Sequence, residues 1–278
     1  MNWKGKTVLV TGATRGIGKA IGLRLAREGA TIGVLGKTDA PHPKLEGTVH
    51  TAVEEMRAAG GDGVALVCDV RDEASVGEAV AALAEAAGGI DVLVNNASAI
   101  SLTPTEATSM KRYDLMMSVN SRGTFLMSKA CLPFLKASDH AHILTLSPPI
   151  DLSPKWLGGH VAYTLSKYGM SIVTRGLAEE LKDDGVRANT LWPLTTIATA
   201  AVNNLLGGEK MMQMSRTPEI VADAAYEILS STRTGEHLID EEVLRAAGVE
   251  DFGKYRVNPE APLCPDLFIE PASVRGKA

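Results

Sequence analysis

Short aliphatic runs alternate along this chain with longer stretches in which apolar positions recur at helical spacing. Thr7 to Val10, Thr31 to Leu35, Gly63 to Cys68, Asp91 to Asn95, His142 to Ser147 and Val186 to Trp192 are the compact runs, with a weaker one at His237 to Asp240. Aliphatic runs of this length with little polar alternation suit strands covered on both faces. The intervening segments, such as Glu73 to Ala87 and Tyr163 to Leu181, are rich in Ala, Leu and Glu and predict helices. Strand and helix repeat in this way from Thr7 to about Gly235, which is the pattern of βαβ units and a parallel α/β sheet. No Gly/Ser or Pro-rich linker and no internal repeat interrupts it. One domain over residues 1–278 is therefore expected, with Asp240 to Ala278 as a loop-rich C-terminal extension.

The first run leads without a break into Thr11-Gly-Ala-Thr-Arg-Gly-Ile-Gly18 and then a helical pattern. Gly12, Gly16 and Gly18 remove side chains where a Cβ would block a tight turn, the approach of a phosphate to backbone amides, or the packing of helix on strand. A helix starting near Gly16 presents unpaired N–H groups and its positive dipole end to an anion. The turn reads as the pyrophosphate seat of a dinucleotide, with Gly12, Thr14, Arg15, Gly16, Ile17 and Gly18 as its contacts. A triphosphate loop ending at Gly18-Lys19 is the rival, and it fails at both ends. Its first glycine would fall at Ala13 and its magnesium-binding hydroxyl at Ala20.

Composition narrows the class. The 278 residues are 45% hydrophobic and 22% charged, as in an ordinary globular protein. Aromatics make up only 4%, so aliphatic packing must fill the core, and the net charge of −5 argues against a nucleic-acid partner. Cys68, Cys131 and Cys264 are far apart and include no CxxC, which suggests reduced thiols. No apolar run reaches membrane-spanning length, and MNWKGK leads straight into a strand, so a cytoplasmic location is expected. His140 and His142 stand two apart beside a strand, and no metal site is expected there.

Further positions surround the expected dinucleotide. The second strand ends at Gly36-Lys37-Thr38-Asp39, where a dinucleotide fold places the adenosine ribose. A cation there welcomes a 2′-phosphate and an acid repels it. Lys37 and Arg15 favour NADP over NAD, with Asp39 pulling the other way. The two-proline insertion Ala40 to Gly47 is expected to loop beside the adenosine. Asp69, followed by Val70 at the end of the third strand, either accepts from an adenine amino group or caps the next helix. Asn95, Asn96 and Ala97 close the fourth strand with two carboxamides, which suit either a hydrogen-bonded scaffold or a plain turn. Asn120 lies among Met, Val and Phe and must find a partner if it is buried.

Tyr163 and Lys167 stand at i and i+4 of a helical run, on one face, so their polar ends are expected to converge. A nearby ammonium lowers the proton affinity of a tyrosine and makes the pair a plausible acid–base unit. Together with the glycine turn, Asn95-Asn-Ala97 and Asn120, the Tyr163-x-x-x-Lys167 pair resembles the short-chain dehydrogenase/reductase family in order and spacing. That resemblance implies a Rossmann-type, doubly wound parallel sheet of about seven strands and NAD(P)-dependent transfer of a hydride between an alcohol and a ketone or aldehyde.

On the same basis Tyr163 is the acid and base, Lys167 binds the nicotinamide ribose, and Asn120 holds a water. The family's serine pair ends the fifth strand, and here Ser147 is followed by Pro148. The substrate contact falls to Ser147 or is displaced to Ser153 in an inserted DLSPKW. The loop after the sixth strand reads Pro193-Leu-Thr195-Thr196, in which either threonine is a candidate for the nicotinamide carboxamide. Thr196 to Met214 falls where the family keeps a substrate lid. Its Leu205, Leu206, Met211, Met212 and Met214 fit either a lipid-like substrate or ordinary core packing. A homo-oligomer is also implied. A cofactor-binding or scaffolding protein with decayed catalysis is the alternative, prompted by Pro148.

Overall fold

A computed structural model describes residues 2–41, 46–271 and 273. Residues 42–45 of the two-proline insertion and the closing Val274 to Ala278 lie outside these. Seven parallel strands form one sheet: β1 (Thr7–Thr11), β2 (Thr31–Gly36), β3 (Asp62–Val67), β4 (Val92–Asn95), β5 (His142–Leu146), β6 (Arg187–Trp192) and β7 (His237–Ile239). Their order is β3-β2-β1-β4-β5-β6-β7, and every neighbouring pair is parallel. This is a Rossmann-type doubly wound domain, and each strand lies within two residues of the run that predicts it.

The strands alternate faces at period two, and both faces are covered except along the edge strand β3, where Val67 is exposed. Val8, Val10, Val92, Val94, Leu144 and Leu146 pack into one core with α1 (Gly16–Ala26), α2 (Val49–Ala58), α9 (Glu219–Leu229) and α10 (Asp240–Ala246). Leu9, Leu93 and Ile143 point the other way, into a core with α3 (Glu73–Ala87), α5 (Gly123–Leu135) and α7 (Val161–Glu180). Burial on both sides explains why the strands read as continuous aliphatic runs rather than alternating ones. Because β1 is flanked by β2 on one side and β4 on the other, the chain reverses direction between β1 and β4. The crevice at their carboxyl ends is where such sheets seat a ligand.

The remaining helices are α4 (Met110–Met116), α6 (Pro154–Leu157) and α8 (Gly208–Gln213), with π-helical turns at Met117–Arg122 and Val202–Leu206. Beyond α10 the chain is mostly irregular, yet it is not peripheral. Phe252 and Tyr255 enter the first core, and Phe268 and Ile269 enter a third with Tyr163, Tyr168, Trp192 and Leu194. Among the described residues no helix is long and apolar enough to cross a membrane.

Candidate functional site

The glycine turn is held from below by two side chains. Thr11 Oγ1 accepts from Asn96 N and Ala97 N, both at 2.9 Å, and donates to Val94 O at 3.3 Å. Asn96 Nδ2 donates back to Thr11 O at 2.9 Å and Gly12 O at 3.1 Å. These bonds staple the end of β1 to the end of β4 across the crevice, so Asn96 serves as scaffold. Gly12 sits at φ +66, and a Cβ on Gly18 would run into Asn96 Nδ2 and the Gly12 carbonyl. The helix α1 opens at Gly16, with Arg15 extended before it.

A cleft of 1380 Å³ runs over this turn. Of the residues expected to bind a dinucleotide, Gly12, Thr14, Arg15, Gly16, Ile17, Lys37, Asp69, Val70, Asn96 and Ala97 line it. Gly18 packs behind the turn, and Tyr163, Lys167, Pro193 and Thr195 do not line the cleft. Ser98, Ala99, Thr199 and Asn203 also line it, although neither periodicity nor motif singles them out. Thr199 carried a signal only in space: its Cγ2 lies 3.4 Å from where a Cβ of Gly16 would be.

Charges at the adenosine end are sorted by their partners. Arg15 donates to Glu46 O at 2.9 Å, Gly47 O at 3.1 Å and Thr38 Oγ1 at 3.3 Å, all neutral oxygens. Lys37 Nζ lies 3.2 Å from Asp69 Oδ2, while Asp39 faces His50 at 2.7 Å. Asp69 is also bonded by the Arg71 guanidinium, which holds its carboxyl well below the usual carboxylate range. The cap of α3 is Asp72, which accepts from Ala74 N and Ser75 N, so the capping reading of Asp69 is corrected. The cap belongs at the residue just before the helix, and Asp69 stands too far upstream.

At the other end the expected pair departs from its expected geometry. Tyr163 and Lys167 lie on the first turns of α7, 4% and 2% exposed. Lys167 Nζ donates to Leu146 O at 2.7 Å and lies 3.5 Å from Met170 Sδ and 5.0 Å from the Trp192 ring centroid. Among the described residues no hydrogen bond joins it to the Tyr163 hydroxyl. The expected lowering of Tyr163 is therefore not found. Burial, with the Asp266 charge, pushes its phenol up instead. Burial lowers Lys167 to about 7, and Asp266 opposes that fall.

Asn120 is wholly buried in the π-helical turn between α4 and α5. Its Oδ1 accepts from Ala99 N at 2.8 Å, and its Nδ2 donates to Ala99 O and Ser166 Oγ, both at 2.9 Å. The amide thus braces the cleft wall against α7. Ser147 Oγ, just past β5, is buried and without a hydrogen-bond partner among the described residues, as are Ser153 Oγ and Thr195 Oγ1. Thr196 Oγ1 is taken by Ser215 Oγ at 2.8 Å.

The loop after β6 is rigidly braced. Asp240 Oδ1 accepts from Leu194 N at 2.8 Å, and Thr196 N donates to Cys264 O at 2.9 Å. Burial raises the Asp240 carboxyl to about 6. In the expected lid, Leu205 is exposed, and Met211, Met212 and Met214 are half-buried rather than core residues. Leu205 and Met212 line the cleft. Among the described residues no three His, Cys, Asp or Glu side chains cluster as metal ligands.

The glycine cradle, the stapled crevice and the unpartnered hydroxyls at the ends of β5 and β6 fit a nicotinamide dinucleotide. The family profile described as short chain dehydrogenase matches residues 6–209. The chain is 53% identical to hydroxysteroid dehydrogenase-like protein 2 of Xenopus laevis and 52% identical to that of Homo sapiens, each over 268 residues. These alignments cover 96% of this chain and 64% of each relative, so the chain spans just under two thirds of their length. A crystal structure of a short chain dehydrogenase from Mycobacterium thermoresistibile superposes with a TM-score of 0.92 at 48% identity, covering 96% of both chains. An NADH-dependent reductase complexed with NAD, 28% identical, and a metagenomic short-chain oxidoreductase in complex with NADP, 25% identical, each superpose with a TM-score of 0.70. The first alignment covers 85% of this chain and 95% of its match, the second 86% and 98%. With crevice, turn and profile in agreement, the chain belongs to the short-chain dehydrogenase/reductase family of oxidoreductases.

Proposed function

We propose that this chain uses NADP, in preference to NAD, to interconvert an alcohol and a ketone or aldehyde. The observation that carries the reading is the pair of buried, unpartnered hydroxyls, Ser147 Oγ and Thr195 Oγ1, at the ends of the adjacent strands β5 and β6. Isolated hydroxyls in a dry site are unfavourable unless something bonds them. Ser147 follows Leu146, whose carbonyl takes the Lys167 ammonium, and so it stands beside the proposed acid–base pair. Ser153 belongs to the loop before α6 and is the weaker candidate. With Thr196 engaged by Ser215, Thr195 is the proposed contact for the carboxamide.

In this reading Gly12, Thr14, Arg15, Gly16, Ile17 and Gly18 form the pyrophosphate seat, Asp69, Val70, Asn96 and Ala97 line the cleft beyond it, and Pro193 bounds the nicotinamide end from outside the cleft wall. The bound dinucleotide supplies the redox equivalent, and the protein supplies position and protons. Arg15 supports the 2′-phosphate preference because, among the described residues, its hydrogen-bond partners are all neutral oxygens, while the acid that would oppose it, Asp39, is turned to His50. Tyr163 gives a proton to the carbonyl oxygen in reduction and takes it back in oxidation. Lys167 binds the ribose, Ser147 bonds the substrate oxygen, and the backbone around Asn120 holds the relay water. Leu205 and Met212 in the cleft wall suit a lipid-like substrate. Exposed Phe125 on α5 and Leu165 and Ile172 on α7 support a homo-oligomer, which sedimentation of the purified chain reads directly.

NADPH consumption over a panel of aldehydes and ketones, compared between the wild type and Tyr163→Phe, tests the assignment. Loss of at least about a hundredfold in the variant is expected. Equal rates would overturn it, and tight NADPH binding without turnover on any compound would favour the scaffolding role.

A further inference from the structure

The Tyr163 ring is covered by a side chain from the far end of the chain. In the reading given above, a carbonyl oxygen must come within hydrogen-bond reach of the Tyr163 hydroxyl. Tyr163 is 4% exposed and does not line the cleft. The Phe268 ring lies against it, with centroids 6.4 Å apart and planes at 25°.

Five rings box Phe268 in. Tyr168 lies at 5.3 Å between centroids, Trp156 at 5.9 Å, Trp192 at 6.1 Å, and Tyr163 and His160 at 6.4 Å. All are within the range at which aromatic pairs attract, at angles from 25° to 70°. In a chain that is only 4% aromatic, this box collects two of the three tryptophans. Tyr163, Tyr168 and Trp192 are buried, whereas Trp156 and His160 are half-buried, so the box closes inward and meets solvent on one side.

Three observations separate the Phe268 ring from a fixed wall of this box. Its backbone sits at φ +69, and among the described residues no other non-glycine has a positive φ. A bulky residue keeps that conformation only at a cost in strain. Polar groups beside a permanent core filling are normally paired, yet Ser147 Oγ and His160 Nε2 are buried without a partner among the described residues. The anchoring is also one-sided. Before Phe268, Asp266 N donates to Leu194 O at 3.2 Å and Leu267 O accepts from Trp192 Nε1 at 2.8 Å. After it, the backbone bonds are local, Ile269 N to Asp266 O and Ser273 N to Glu270 O. Buried Ile269 and the Glu270–Lys155 ion pair complete the hold, and both partners of that pair are about half exposed, where such a contact contributes little.

We propose that the aromatic box is the apolar pocket of the substrate, filled in this structure by the chain's own Phe268, and that it accepts a carbonyl compound bearing a phenyl-sized aromatic group beside the reacting carbon. The proposal rests on the reading of Tyr163 as acid and base. Phe268 competes with that group for the same ring faces. When residues 267–270 swing outward, the backbone strain is released, the box passes to the substrate, and its carbonyl comes to lie beside Tyr163. His160 Nε2 is then available to a polar substituent on the incoming ring.

A plug that fills its pocket nine-tenths of the time weakens a competing ligand about tenfold. Phe268→Ala removes the competitor. Its dissociation constant for acetophenone, read by ligand-observed NMR in the presence of NADP, is expected to fall about tenfold below that of the wild type. The same variant should bind 2-octanone, a methyl ketone with as many carbons and no ring, severalfold more weakly than acetophenone. In the wild type, acetophenone should speed the hydrogen exchange of residues 266–270, because the ring has to leave, whereas a ligand seated beside a fixed wall slows it. That measurement needs no variant and decides the question if Phe268→Ala does not fold. Acetophenone bound no more tightly by the variant, 2-octanone bound as well as acetophenone, or a wild-type segment whose exchange is unchanged or slowed would each overturn the proposal. Tenfold tighter acetophenone binding without NADPH turnover in either protein would overturn the catalytic reading instead and leave the pocket in place.

Discussion

Thr11→Val isolates the staple beneath the glycine turn. Valine has nearly the same shape as threonine, so no cavity opens, but the hydroxyl that serves three partners is gone. Asn96 N–H and Ala97 N–H lose their acceptor, and Val94 O loses a long donor at 3.3 Å. Asn96 and Ala97 are half-buried, so water reaches their amides in part and the lower half of the range for an unsatisfied group applies. At about 1–2 kcal/mol for each amide, the variant is expected to lose about 2–4 kcal/mol of stability. Thr11→Ser keeps the hydroxyl and removes one methyl, a loss of about 1 kcal/mol. Urea unfolding of the three proteins gives both differences from the midpoints and slopes. NADPH titration should weaken in the same order, because the staple fixes the crevice where the turn meets β4. A valine variant no less stable than the serine variant would refute the reasoning, since shape rather than hydrogen bonding would then govern the position.

Two further outcomes are expected. Lys37→Glu should lower the ratio of NADPH to NADH affinity by about tenfold or more, the scale of one charge-assisted contact, and an unchanged ratio in equilibrium titrations would remove Lys37 from the 2′-phosphate site. Asp240, raised by burial from 3.8 to about 6, binds its proton more tightly in the folded chain, so its stabilisation is full at low pH and lost as pH rises through about 6. Asp240→Asn, which keeps the acceptor for Leu194 N–H, should therefore be the more stable protein above that window by up to about 3 kcal/mol and show no such advantage below it. Urea midpoints on either side of the window check this, and a pH-independent difference would contradict it.

The parts of this molecule written in local pattern were legible in the sequence. Strands buried on both faces leave unbroken aliphatic runs, the turn needs its glycines within a few residues of one another, and Tyr163 and Lys167 share a helical face by spacing alone. Asn96 was legible as a carboxamide at a strand end, though choosing scaffold over turn required its two bonds to the carbonyls of β1 and the glycine turn. The C-terminal segment around Phe268 was not legible. Phe268 lies about a hundred residues beyond the Tyr163 ring it stacks on, in a segment without period or cap, and its placement is decided by packing against Trp192 and by backbone bonds from Cys264 and Asp266 to the loop after β6. The orientation of Lys167 was hidden for a related reason. Helical spacing says which face a side chain leaves from, but the choice between the Tyr163 hydroxyl and the Leu146 carbonyl depends on how the end of β5 packs against this helix.

The crowding of rings around Phe268 gives the protein an optical reporter of its own. Trp156 and Trp192, two of its three tryptophans, have ring centroids 5.9 and 6.1 Å from that ring, whereas Trp3 lies apart, edge-on to His140 and tilted against Tyr226. Lifting the segment of Leu267 and Phe268 would strip a neighbour from two indoles and free the Nε1 of one of them, leaving the third unchanged. The emission of the unlabelled chain therefore carries a signal for whether the proposed catalytic tyrosine is covered, with a constant reference built into the same spectrum.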